Sequence, residues 1–175
     1  MPYTLLVGGA RGGKSTLAMR LASAFEGPVT MVATAEARDD DMAERIRRHR
    51  EARPAGWVTI EAPFDLLGAI ESVGEEPFVI LDCLTLWVAN ALEAGALGDE
   101  VDGEAVKIAS ALAGRVTPSV VVSNEVGLGI VPANALARRY RDVLGRVNGT
   151  FATEASRSFL VVAGRGLPLE EVTPP

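Results

Sequence analysis

The 175-residue chain carries 23 acidic side chains against 17 lysines and arginines, a net charge of -6 at pH 7, with 48% hydrophobic and 23% charged residues. That length can bury the core of one domain spanning residues 1–175, and the composition excludes a disordered chain. An acidic surface repels phosphate backbones, so no nucleic-acid partner is expected and any anion site must be a local concentration of positive charge.

The chain begins with an apolar strand, Tyr3 to Val7, that runs into Gly8-Gly9-Ala10-Arg11-Gly12-Gly13-Lys14-Ser15. This fits G-x-x-x-x-G-K-[ST] without a mismatch and opens a helix over about Lys14 to Phe25, the context a phosphate-binding P-loop requires. The glycines let successive N–H groups turn toward phosphates, and the helix adds the positive end of its dipole. Lys14 is expected to reach the terminal phosphates, and the Ser15 hydroxyl to ligate the Mg2+ that bridges them.

Gly27-Pro28 breaks the chain, and Val29 to Ala33 reads as a second strand. Asp39-Asp40-Asp41 suits a helix N-terminus, and that helix runs to about Arg53, where Pro54 stops it. From Arg45 to Arg53 it holds five arginines and the single histidine, His49, a local cationic site in an acidic chain. Met42, Ile46, His49 and Arg53 share one face by their spacing, which predicts that His49 points inward. A histidine so placed is either a packed core residue or a catalyst, and spacing alone favours packing.

Trp57 to Ile60 is a short predicted strand, Phe64 to Val73 a short helix, and Phe78 to Asp82 a buried parallel strand ending in a carboxylate. Asp82 has the place of a Walker B aspartate holding Mg2+ opposite Ser15; the alternative is an N-cap for the next helix. Helices are predicted over Leu84 to Glu93 and about Glu104 to Arg115, with a loop from Gly95 to Gly103 between them. Val120 to Ser123 is a further strand, followed by the loop Asn124 to Pro132. A long helix spans about Ala133 to Ala155, and Phe159 to Val162 is the last strand. In the long helix Leu136, Tyr140, Val143, Leu144, Val147 and Phe151 form an apolar face. Arg138, Arg141, Asp142, Gly145 and Asn148 lie opposite, and Gly145 is expected where a ligand or second subunit comes close.

Strands alternating with helices predict an α/β fold of P-loop NTPase type, RecA-like, with a mostly parallel sheet covered on both faces. Ligands in such sheets bind beyond the strand C-termini, where the P-loop, Thr34, Glu61, Asp82 and Asn124-Glu125 all fall. One cysteine, Cys83, cannot form an internal disulfide, and the N-terminal residues lack the arrangement of a signal peptide. No apolar stretch approaches the roughly 20 residues that span a bilayer, so a soluble cytoplasmic protein is expected.

Taken together, GGARGGKS (8–15), VAT (32–34), DDDMAERIRRHREARPAGWVTIEAP (39–63), ILDCLTLWVANAL (80–92), NEVGLGIVP (124–132) and RRYRDVLGRVN (138–148) resemble the bifunctional adenosylcobinamide kinase / adenosylcobinamide-phosphate guanylyltransferase family of cobalamin biosynthesis. The resemblance implies phosphorylation of adenosylcobinamide by ATP or GTP, then transfer of GMP from GTP to adenosylcobinamide phosphate through a guanylylated histidine, here His49. It also implies nucleotide contacts at Gly8, Gly9, Ala10, Arg11, Gly12, Gly13, Lys14, Ser15, Thr34, Arg50, Arg53, Glu61 and Asp82, and a homotrimer. Two positions depart from the family pattern: Arg48 stands where some members have a second histidine, and Gly149 where glutamine is usual. A neutral imidazole is a competent nucleophile toward an α-phosphate, and the neighbouring arginines can stabilise charge on the transferred group. A plain P-loop small-molecule kinase is the alternative, though it leaves the His49 segment unexplained. A GTP-dependent switch lacks N-K-x-D, and its D-x-x-G match, Asp142 to Gly145, lies inside a predicted helix.

Overall fold

The computed structural model describes residues 3–172. The continuous apolar runs form the middle of one seven-stranded sheet in the order β3-β2-β4-β5-β1-β6-β7. These are β1 (Thr4–Val7), β2 (Val29–Ala33), β3 (Val58–Glu61), β4 (Phe78–Asp82), β5 (Ser119–Val122), β6 (Arg157–Val162) and β7 (Arg165–Leu169). All neighbours are parallel except β6 and β7. Strands with both faces covered read as unbroken Val, Ile and Leu, which is why β1, β4 and β5 are recognisable and central.

The alternation of strand side chains divides the core into two layers. Leu5, Val32, Val79, Leu81 and Val121 face α3 (Leu66–Val73), α4 (Leu84–Glu93), α5 (Gly98–Ala113) and α6 (Ala135–Glu154). Leu6, Met31, Ile80, Val120 and Val122 face α1 (Lys14–Ser23) alone. Both faces are covered, one far more heavily. The remaining helix, α2 (Asp40–Glu51), is the crossover from β2 to β3 and contributes no buried residue.

Register decides where the chemistry sits. Glu61 pairs with Ala33, Ala33 with Asp82, Asp82 with Val122, Val122 with Leu6, and Leu6 with Phe159. β2, β3, β4 and β5 all end on this row, so the segments that follow them leave the sheet together.

The clearest differences from expectation lie at the start of α5 and at the β6–β7 edge of the sheet. α5 begins at Gly98, where a loop to Gly103 was expected; the Leu97 N–H donates to the Glu100 carboxylate (2.7 Å), and Asp99 and Glu100 occupy the first turn. β6 starts two residues early, and β7 follows it as an edge strand.

On α6 Leu136 is solvent-exposed and Asn148 is buried, so the expected apolar and polar faces are offset at both ends. Phe151 is fully buried beneath Tyr3, with ring centroids 5.9 Å apart at 63°, and its carbonyl accepts the Tyr3 hydroxyl at 2.6 Å. Phe151→Ala is expected to lower stability by about 3–5 kcal/mol. A urea midpoint that falls with an unchanged slope is the check.

Candidate active site

The P-loop turns where the sequence supplies glycine. Gly13 caps α1 at φ 95°, and a Cβ there would lie 2.8 Å from Gly164 Cα in the β6–β7 turn. Gly8, at φ 150°, would bring a Cβ to 2.3 Å from the Val161 carbonyl oxygen. No other residue type fits either position. Lys14 is only 6% exposed, and its ammonium donates to the carbonyls of Gly8 (3.0 Å) and Gly9 (2.7 Å). Burial lowers its pKa most, Cys83 and Asp82 act to raise it, and Arg45 lowers it further. Burial also pushes the Cys83 thiol up to about 11, so it is neutral at pH 7 and Asp82 is the effective anion opposite Lys14. Such a loop can hold a chain of phosphates with the lysine at one end.

Asp82 is half-buried at the end of β4. The N-cap of α4 is Cys83, and no side chain caps it, so the helix-cap alternative for Asp82 does not hold. Thr34 has no exposed surface: its hydroxyl donates to the Cys83 carbonyl (2.7 Å) and accepts the Cys83 N–H (2.9 Å), while its own N–H donates to the Asp82 carbonyl (3.2 Å). The side chain expected to touch nucleotide is thus engaged in bracing the end of β4.

Asn90, which sequence reasoning missed, ties three segments. Its amide donates to the carbonyls of Thr34 (2.9 Å) and Pro63 (3.0 Å) and accepts from Arg38 (2.9 Å). An asparagine in the middle of a helical pattern gives no local sign of this. Among the described residues, no three His, Cys, Asp or Glu side chains gather as a metal site. A serine hydroxyl and one carboxylate are hard oxygen donors that suit Mg2+ arriving with phosphates, since that ion is held by few protein ligands.

Asp39 caps α2, accepting the Met42 N–H at 2.7 Å. Met42, Ile46, His49 and Arg53 do share the inner face, but each is only half-buried. The charge-rich helix has too little apolar surface to sink into the body. The His49 imidazole makes no hydrogen bond to a described residue.

Beside it, Arg50, Arg53, Trp57, Thr59 and Glu61 line an open cleft of about 440 Å³. Arg50 pairs with Glu61, and Arg53 donates to Thr59 at 2.9 Å. Burial lowers the Arg53 pKa, Asp82 opposes that, and Arg50 adds to it. The Arg53 Nε is buried without a partner among the described residues, a donor that a ligand could satisfy. Trp57 and Thr59 were not expected as lining residues, although both lie in the W-x-T-x-E stretch.

Gly145 is exposed, and a Cβ on it would meet nothing within 4 Å, so this chain itself does not crowd it. Gly149 is likewise open. The P-loop, Asp82 and the Arg50–Arg53 cleft share the C-terminal rim; of the Gly145 stripe, Asn148 reaches it through Ser123 and Asn124, while Gly145 itself stays open.

Residues 4–169 match the family described as cobinamide kinase / cobinamide phosphate guanyltransferase. The chain is 42% identical over 170 residues to the bifunctional adenosylcobalamin biosynthesis protein CobP of Pseudomonas aeruginosa, covering 95% of this chain and 96% of that one. It is 40% identical over 182 residues to the corresponding CobU protein of Salmonella typhimurium, covering 95% and 98%. Among solved structures, a Pyrococcus horikoshii OT3 protein aligns with TM-score 0.59 at 7% identity over 98% of this chain and 87% of its own. A type III secretion ATPase of pathogenic bacteria aligns with TM-score 0.57 at 10% identity, covering 91% of this chain; the chain spans half the length of that ATPase. The structural likenesses bear on fold alone.

Proposed function

Since the chain belongs to the cobinamide kinase / cobinamide phosphate guanyltransferase family, we propose that one sheet rim carries both reactions, with the P-loop serving the first and the α2 helix the second. The observation that supports this most is the convergence of the Lys14 cradle, Asp82 and the arginine cleft beside His49 on that rim.

In the first step the aminopropanol hydroxyl oxygen of adenosylcobinamide bonds to the γ-phosphorus of ATP or GTP. The bond to the β-phosphate oxygen breaks, the nucleoside diphosphate leaves, and the hydroxyl proton passes to solvent. Backbone N–H groups from Gly8 to Ser15 hold the phosphates, and Lys14 leaves the Gly8 and Gly9 carbonyls to meet the charge that builds on them. Bound with the nucleotide, Mg2+ neutralises phosphate charge; Ser15 and Asp82 are the residues that would hold it. Thr34 acts through the Cys83 peptide to fix Asp82.

In the second step a His49 nitrogen bonds to the α-phosphorus of GTP and pyrophosphate departs. An oxygen of adenosylcobinamide phosphate then attacks the same phosphorus and frees the imidazole, giving adenosylcobinamide-GDP. Arg50, Arg53 and Glu61 hold the nucleotide, the arginines balancing phosphate charge. The family resemblance also supports a homotrimer.

Incubation with adenosylcobinamide, ATP and GTP, followed by mass analysis of the corrinoid, tests the whole reading. Accumulation of the phosphate without any GDP adduct would reduce the protein to a plain kinase. Asp82→Asn is expected to shift the Mg2+ titration of the kinase step to higher concentration, because a neutral amide is the weaker ligand. An unchanged titration would remove Asp82 from metal binding.

A further inference from the structure

The segment Asn124 to Pro132 has no part in the roles assigned above, yet it is rooted in the P-loop. The Glu125 N–H donates to the Gly8 carbonyl at 3.1 Å, the same oxygen that accepts Lys14 Nζ. The Asn124 N–H donates to the Thr85 hydroxyl (2.7 Å), and the Asn124 carbonyl accepts the Asn148 amide (2.9 Å). At the far end Arg138 Nη1 donates to the carbonyls of Pro132 (2.9 Å) and Ala133 (2.6 Å), and Asn134 caps α6.

Between these fastenings Leu128 is 84% exposed, Ile130 97% and Val131 62%; Leu136, on the first turn of α6, adds a further half-exposed side chain. A single exposed aliphatic residue needs no explanation, but three within four positions, on a segment held at both ends, form a patch that calls for a partner.

We propose that this crest binds the acceptor, taking the apolar face of the corrin macrocycle so that its aminopropanol arm reaches the nucleotide in the P-loop. The inference rests on the kinase reading above and adds to it the residues that hold the corrinoid. Its chemistry follows from the substrate: the reacting hydroxyl ends a flexible arm, so a phosphate cradle alone cannot hold the large ring system that carries it. On the β3 side of the rim the cleft is ringed with charge and suits a nucleotide. On the β5 side, one hydrogen bond from Gly8, the rim is aliphatic. A second copy of the chain is the competing occupant, but a stable subunit contact engages roughly 20–30 residues a side. Four aliphatic side chains match the face of one ring system more closely.

The test is Leu128→Ser combined with Ile130→Ser; both side chains are solvent-exposed, so the fold keeps its core. The KM for adenosylcobinamide is expected to rise about tenfold or more, because two large aliphatic side chains no longer cover the ring. The KM for ATP, and the label that GTP carrying a labelled α-phosphate leaves on the protein without corrinoid, should stay as in the wild type. Ile130→Leu should keep the wild-type KM. Wild-type phosphorylation of adenosylcobinamide is measured first: its absence would overturn the kinase reading and this inference with it. With that activity present, an unchanged acceptor KM in the double variant overturns the crest alone. A smaller mass in solution for the double variant would assign the crest to a subunit contact and overturn it equally.

Discussion

Lys14→Ala should lower the rate of adenosylcobinamide phosphorylation by about 10²-fold or more, the scale on which loss of one charge-stabilising donor acts in transfer chemistry. The ammonium is buried against the Gly8 and Gly9 carbonyls, 3.0 and 2.7 Å away, so in the resting protein it is held within the loop. Removing it costs the fold little, because the Gly8 carbonyl keeps the Glu125 N–H and the Gly9 carbonyl keeps the Gly12 N–H. The loss therefore falls on the reaction, where negative charge collects on the transferring phosphoryl group and its leaving oxygen. Initial rates on a variant with wild-type circular dichroism and melting temperature check this. Kinase activity within a few-fold of wild type would remove the P-loop from the mechanism.

His49→Ala should abolish guanylyl transfer and leave most of the kinase activity, because Lys14, Ser15 and Asp82 are untouched. GTP labelled at the α-phosphate should label the wild-type protein, whereas γ-labelled GTP should not. The bond from imidazole to phosphorus is labile in acid and persists in base, which separates it from a serine ester. In His49→Ala the label should vanish. The half-buried side chain has no hydrogen-bond partner to strand among the described residues, so the substitution leaves the fold intact. An adduct that survives in the variant, or unimpaired transfer with no adduct, would overturn the role of His49. Peptide mapping of the labelled wild-type protein locates the bond directly.

The central strands were legible because each is an unbroken apolar run, and the P-loop because its spacing has few other uses. β7 was not, for a physical reason: Arg165-Gly-Leu-Pro-Leu169 is exposed at every position and contains Pro168, which only an edge strand accommodates. The start of α5 was hidden by Gly98 and Gly103, which local propensity assigns to a loop. In the site, spacing found the His49 face correctly and misjudged its depth, since periodicity reports direction and not how much the neighbours cover. Thr34 and Asn90 owe their importance to partners 49 and 56 residues away, Cys83 and Thr34, and no local pattern carries that information.

The two reactions rest on scaffolds of unequal strength. Asp82 is the last residue of a strand paired on both sides, and the P-loop grows from a strand inside the sheet, so loosening them means breaching the most protected part of the molecule. α2 has no buried residue, its pairs Arg47–Glu44, Arg47–Glu51 and Arg48–Glu44 lie within the helix itself, and its hold on the body rests on half-covered side chains and the exposed Arg50–Glu61 pair, of small worth. With the roles proposed for His49 and Lys14, warming, urea or a marginal substitution is therefore expected to silence the histidine before the lysine. A partly damaged molecule still consumes nucleotide to make the phosphorylated corrinoid but no longer passes it on, so damage would surface as a stalled intermediate ahead of any missing first product.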